Sequence, residues 1–103
     1  MVTGVPYRPP VARKLPPIAT HDDLVDALRQ VEGLRDKGKV HPNFQLRSRP
    51  FLHFHRGERG VYADVRFGDE FEPVPANTPA QRAVLLDRVR RHVEAASSRK
   101  RTG

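Results

Sequence analysis

The segment Arg49-Pro50-Phe51-Leu52-His53-Phe54-His55 is followed at short range by Val61-Tyr62-Ala63-Asp64-Val65-Arg66-Phe67. Two histidines at i and i+2 point to one side of a strand, and so do Tyr62, Asp64 and Arg66 on the next. This collects imidazole, phenol, carboxylate and guanidinium groups on one sheet face. Such a set can bind a metal, move a proton, or contact a polar partner. A metal site on His53 and His55 would need a third ligand, with Asp64 or His41 available. Other catalytic patterns are missing: there is no GxSxG, P-loop, HExxH, or GxGxxG after a strand. Ser48 is the single serine ahead of Ser97 and Ser98, and cysteine is absent. Thiol catalysis, Cys-ligated zinc and a serine triad are thereby excluded or unsupported. The pattern points away from an enzyme, with no catalytic residue, cofactor or resident metal expected.

Alternation fixes which faces these residues share. Leu52 and Phe54 lie on one face of their strand; Phe51, His53 and His55 lie on the other. Val61, Ala63, Val65 and Phe67 form the apolar face of the next. Apolar must oppose apolar across a sheet. Pairing Phe54 with Val61 and Leu52 with Ala63 obeys this rule. It places His53 opposite Tyr62, Phe51 opposite Asp64, and Asp64 diagonal to His53, around the connection Arg56-Gly57-Glu58-Arg59. The polar face then reads Gln45, Arg47, Arg49, Phe51, His53, His55, Tyr62, Asp64 and Arg66. Three readings compete for it: a solvated face with cross-strand pairs, a binding surface, or a metal or catalytic site. As a binding surface, its arginines would contact phosphate while Phe51 and Tyr62 stack on bases.

The surrounding elements follow from caps and periodicity. A first helix starts at Thr20, with Asp22 and Asp23 in a first turn whose dipole favours negative charge. Leu24, Leu28 and Val31 recur at helical spacing, with Val25 and Leu34 beside them, and Gly38 offers a stop. Strands are expected at 44–47, 50–55, 61–67 and 71–74, with Pro73 and Pro75 confining the last to an edge. Thr78, Pro79 and Gln81 spell a helix start with a capping box. Leu85, Leu86, Val89 and Val93 supply that helix's apolar stripe, ending at Ser97 and Ser98. The expected fold is α+β: a two-layer sandwich of a four-stranded antiparallel meander, with two helices on one face in the order α-β-β-β-β-α.

Three segments are expected: a proline-rich extended tail at 1–19, one domain at 20–96, and a basic tail at 97–103. Of the ten prolines, five fall in the first 19 residues, which disfavours helix and central strand there. The chain of 103 residues carries a net charge of +7. Residues 1–19 contribute +3, residues 20–43 contribute −1, residues 44–75 are neutral, and residues 76–103 contribute +5. Basic ends around a neutral centre point to a polyanion. Arg88, Arg90, Arg91, Arg99, Lys100 and Arg101 are the leading candidates for nucleic-acid contact, with Arg47, Arg49 and Arg66 on the sheet face. A homodimer through that face or an edge strand is the alternative, since exposed aromatics favour interfaces. No apolar run approaches a membrane span, and the start lacks a signal-peptide pattern, so a cytoplasmic protein is expected.

The helix–meander–helix order resembles the small α+β sandwiches of the YjbR and frataxin/CyaY type. The stretch from His41-Pro42 through Phe44 to Tyr62-Ala63-Asp64-Val65 is also similar to small uncharacterised bacterial proteins. The resemblance covers residues 20–96. Frataxin-like iron binding depends on an acidic first helix and edge. Here Asp22, Asp23 and Asp26 are interleaved with Arg29, Arg35 and Lys37, so the resemblance does not imply iron delivery. YjbR-type proteins have been suggested to bind DNA, which agrees with the basic ends. No functional residue is carried over.

Overall fold

The computed structural model describes residues 18–102, with side chains described through residue 97. Expectations for the proline-rich segment 1–17 lie outside the described residues. The helix α1 spans His21–Arg29 and opens with a complete capping box: Asp23 N donates to Thr20 Oγ1 at 3.0 Å, and Thr20 N donates to Asp23 Oδ2 at 3.3 Å. Two of the helix's orphan N–H groups are thereby satisfied.

α1 stops at Arg29, nine residues before Gly38. Gln30, Val31 and Leu34 each donate to the carbonyl three residues back, tightening the chain as the helix ends. Gly33 then takes φ +104, a conformation that side-chain-bearing residues rarely adopt. A β-carbon there would also press on Val93 Cγ1 at 3.3 Å. Leu34 therefore leaves the helix and begins a strand, β1, Leu34–Asp36. The sheet has five strands rather than the expected four.

β2 is Asn43–Leu46, β3 Arg49–Gly57, β4 Gly60–Val65 and β5 Glu72–Pro75. They form one antiparallel meander in the order β1-β2-β3-β4-β5. Arg47 and Ser48 make the two-residue β2–β3 turn, both at positive φ (57° and 67°). Gly57 pairs with Gly60 around Glu58-Arg59, with Gly60 at φ +121 and Asn77 Oδ1 where its β-carbon would stand.

The β3–β4 register differs from the expected one by two residues. Phe54 opposes Ala63, Leu52 opposes Val65, and His55 opposes Tyr62. Both registers pair apolar with apolar, so the face rule alone does not separate them. The tighter turn does, by extending the ladder to Gly57. Phe51 is a second correction. Phe44 opposes Leu52 while Gln45 opposes Pro50, so Phe51 is the extra residue of a β-bulge. The bulge breaks strict alternation. Phe51 and Leu52 are both buried, and Phe51 is only 3% exposed instead of lying on the polar face.

α2 spans Pro79–Thr102. Its start carries the second capping box: Gln81 N donates to Thr78 Oγ1 at 3.0 Å, and Gln81 Oε1 accepts from Thr78 N at 3.2 Å and Asn77 N at 2.9 Å. It does not end at Ser97 and Ser98. Arg99-Lys100-Arg101 contains no helix breaker, and cations suit a helix C-terminus. One continuous buried cluster draws Leu24, Val25 and Leu28 from α1 and Leu85, Leu86, Val89 and Val93 from α2. The sheet adds Leu34, Phe44, Leu52, Ala63, Val65 and Val74. Arg82 fastens the chain ahead of α1 to the start of α2. Its Nη1 donates to the carbonyls of Ile18 (2.9 Å) and Ala19 (3.0 Å), and its Nη2 donates to that of Asn77 (3.0 Å). Among the described residues, no helix is long and apolar enough to cross a membrane.

Candidate functional site

Adjacent strands β3 and β4 bring His53, His55, Tyr62 and Asp64 together. His53 is directly opposite Asp64, not diagonal to it. Asp64 sits between the two imidazoles: its Oδ2 is 3.3 Å from His53 Nε2, and its Oδ1 is 3.1 Å from His55 Nε2. Each histidine side chain is 43% exposed and that of Asp64 26%. A carboxylate accepts only, so each imidazole that bonds it carries its proton on Nε2. His55 stacks on Tyr62 with centroids 5.6 Å apart, and His53 leans on Phe71 at 5.3 Å. His55 hydrogen-bonds Asp64 Oδ1, while His53 Nε2 stands at ion-pair distance from Oδ2, an arrangement suited to holding the rings in place. Among the described residues, no group of three His, Cys, Asp or Glu side chains is placed to hold a metal ion, so neither Asp64 nor His41 completes a metal site with the two histidines.

The arginines expected on this face do different things. Arg66 turns its guanidinium to the Pro50 carbonyl (Nη2 2.9 Å, Nε 3.2 Å) and lies 5.6 Å over the Phe71 ring. Arg47 cannot continue the alternation of β2 because it sits in the left-handed turn; its Nη2 donates to the Ala96 carbonyl of α2 at 2.8 Å. Arg49 is exposed at the start of β3. Phe51 has left the face for the interior, where it stacks on His92 at 5.4 Å and meets Phe67 edge-on at 6.1 Å. The stacking pair Phe51 and Tyr62 expected of a binding face does not form.

On α2, Arg88 pairs with Glu72 at 3.1 Å and covers the Phe67 ring at 4.4 Å. Arg91 pairs with Asp87 at 3.0 Å. Arg90 is exposed, and residues 99–101 belong to the last turns of the helix.

Two groupings were not anticipated. Asp36 closes the β1–β2 connection: its Oδ1 accepts from Gly38 N (3.0 Å) and Asn43 N (3.1 Å), and its Oδ2 from Arg29 Nε (3.1 Å). Partial burial pushes the Asp36 carboxyl up. The N–H groups of Asn43 and Gly38, with Arg29, outweigh that and hold it below the ordinary aspartate value. The second is a groove of ≈ 490 Å³ between the β1–β2 end of the sheet and α2, lined by Arg35, Lys37, Arg47 and Ser48 among others. Its sequence signal is the pair Arg35 and Lys37, in and just after β1, which come to the sheet edge once Leu34 is released from the helix.

The chain matches no protein-family model, no curated protein and no solved structure.

Proposed function

We propose that the protein is a non-enzymatic module that binds nucleic acid through α2. The observation that carries this reading is the uninterrupted run of α2 through Arg99-Lys100-Arg101. Among the described residues Val93 is the last buried one of the helix, and the helical backbone continues for nine residues more, 94–102. At 1.5 Å per residue this is about 13 Å of helix. α2 holds seven basic and two acidic residues. The pairs Arg88–Glu72 and Arg91–Asp87 are solvent-exposed, and exposed pairs contribute about 0–1 kcal/mol, so a phosphate can compete for these arginines. The two-layer arrangement with both helices on one sheet face belongs to this reading, and the single buried cluster supports it. A YjbR-type likeness and a cytoplasmic location, where nucleic acid is at hand, are parts of the same proposal.

Fluorescence anisotropy with a labelled single-stranded DNA and a labelled RNA tests the proposal. Wild-type protein should bind at low salt, and R90Q/R99Q/K100Q/R101Q should lose most of that binding. A wild-type chain that binds neither at low salt overturns the reading.

A further inference from the structure

The groove beside the β2–β3 turn differs in charge from the arginine sites that hold a carboxylate. Arg29 has Asp26 and Asp36, Arg88 has Glu72, and Arg91 has Asp87. Around the groove, Arg35, Lys37 and Arg47 gather with no carboxylate among the lining residues. Among the described residues, Arg47 has a neutral carbonyl, that of Ala96, as its hydrogen-bond partner. Arg35 and Lys37 are two apart on the edge of the sheet and exposed. Like charges drawn together without a counter-charge repel one another, and an anion between them relieves the repulsion. Gln45, Ser48 and Ser97 add uncharged hydrogen-bonding side chains to the lining. Arg47 and Ser48 also occupy the left-handed region, as the two central residues of a tight hairpin turn.

We infer that this groove is a phosphate site and that it takes a phosphate of the nucleic-acid backbone. The inference rests on the nucleic-acid reading above for the source of the phosphate. It adds a second contact region, formed by the sheet end and separate from the last turns of α2. A strand lying on α2 would then pass into the groove, because Val93, Ala96 and Ser97 of α2 form one of its walls.

The test uses the full chain with two probes, a short oligothymidylate and inorganic pyrophosphate, read by amide NMR and anisotropy. R35Q/K37Q removes two exposed charges from the groove. R56Q/R59Q removes two from the far end of β3 and its turn as a charge-matched control. Each phosphate contact contributes about −0.7 to the log–log salt slope for single strands. R35Q/K37Q should therefore make that slope shallower by about 1.4 and weaken oligothymidylate binding roughly tenfold at 50 mM salt. R56Q/R59Q should change either quantity far less, and both probes should shift the amides of Gly33, Arg47 and Ser48. Equal losses in the two variants, or no loss in R35Q/K37Q while the wild type binds, overturn the groove and leave the α2 reading standing. Amide shifts with pyrophosphate in a chain that binds no oligonucleotide overturn the nucleic-acid source and support a phosphate site for a small molecule. No amide response to either probe overturns the site itself.

Discussion

Replacing Phe51 with alanine tests the bulge that reshapes the sheet face. The side chain is 3% exposed, stacked on His92 and edge-on to Phe67. Truncating a buried phenylalanine costs about 3–5 kcal/mol, including the cavity left behind. The same change on a solvated sheet face falls within about 0.5 kcal/mol. A domain of this size has a total stability of roughly 4–12 kcal/mol at 0.05–0.15 kcal/mol per residue. Phe51→Ala should therefore remove a quarter or more of it. With about 4–8 °C per kcal/mol, the melting temperature should fall by at least about 12 °C. Urea denaturation followed by circular dichroism gives the free energy directly. If Phe51→Ala does not fold, Phe51→Leu should fold with a loss of about 1 kcal/mol, since similar-volume swaps are tolerated. A loss under about 0.5 kcal/mol for Phe51→Ala would refute the bulge and return Phe51 to the polar face.

Two further outcomes follow from local geometry. Ser48→Gly should raise stability by about 0.5–1 kcal/mol, because relief of the left-handed cost (about 1–2 kcal/mol) exceeds the added chain entropy of glycine; a shift of the urea midpoint at unchanged slope reads it. The Asp36 carboxyl is held below its ordinary value, so its contribution is fully present above the unfolded value near ~3.9 and is lost as pH falls through the lower folded value. Asp36→Asn should thus cost about 1–2 kcal/mol at neutral pH, with the gap to wild type narrowing in acid.

Sequence and structure agree where a local signal is specific. Thr20 caps α1 as expected, and Thr78 with Gln81 forms the capping box that its spacing requires. The alternation in β3 and β4 places His53, His55, Tyr62 and Asp64 together whichever register holds, because a two-residue shift keeps every side chain on its face. The differences arise where two solutions satisfy the same pattern. Leu34 continues the helical spacing of Leu28 and Val31, yet the positive φ of Gly33 turns it into β1. Phe51 alternates onto the polar face unless a bulge intervenes, and nothing in Pro50-Phe51-Leu52 announces one. Arg47 reads as a strand residue until its turn is seen. The phosphate groove was hidden for the same reason, since Arg35 and Lys37 share an edge only when β1 exists.

The salt dependence of nucleic-acid binding by the wild-type chain tests the central claim most directly. Labelled single-stranded DNA is titrated with protein between about 20 and 300 mM salt, and log Kd is plotted against log salt concentration. Contacts from both α2 and the groove predict a straight line with a slope of at least about 2, at ~0.7 per phosphate contact. A slope near zero, or no binding at the lowest salt, would contradict it.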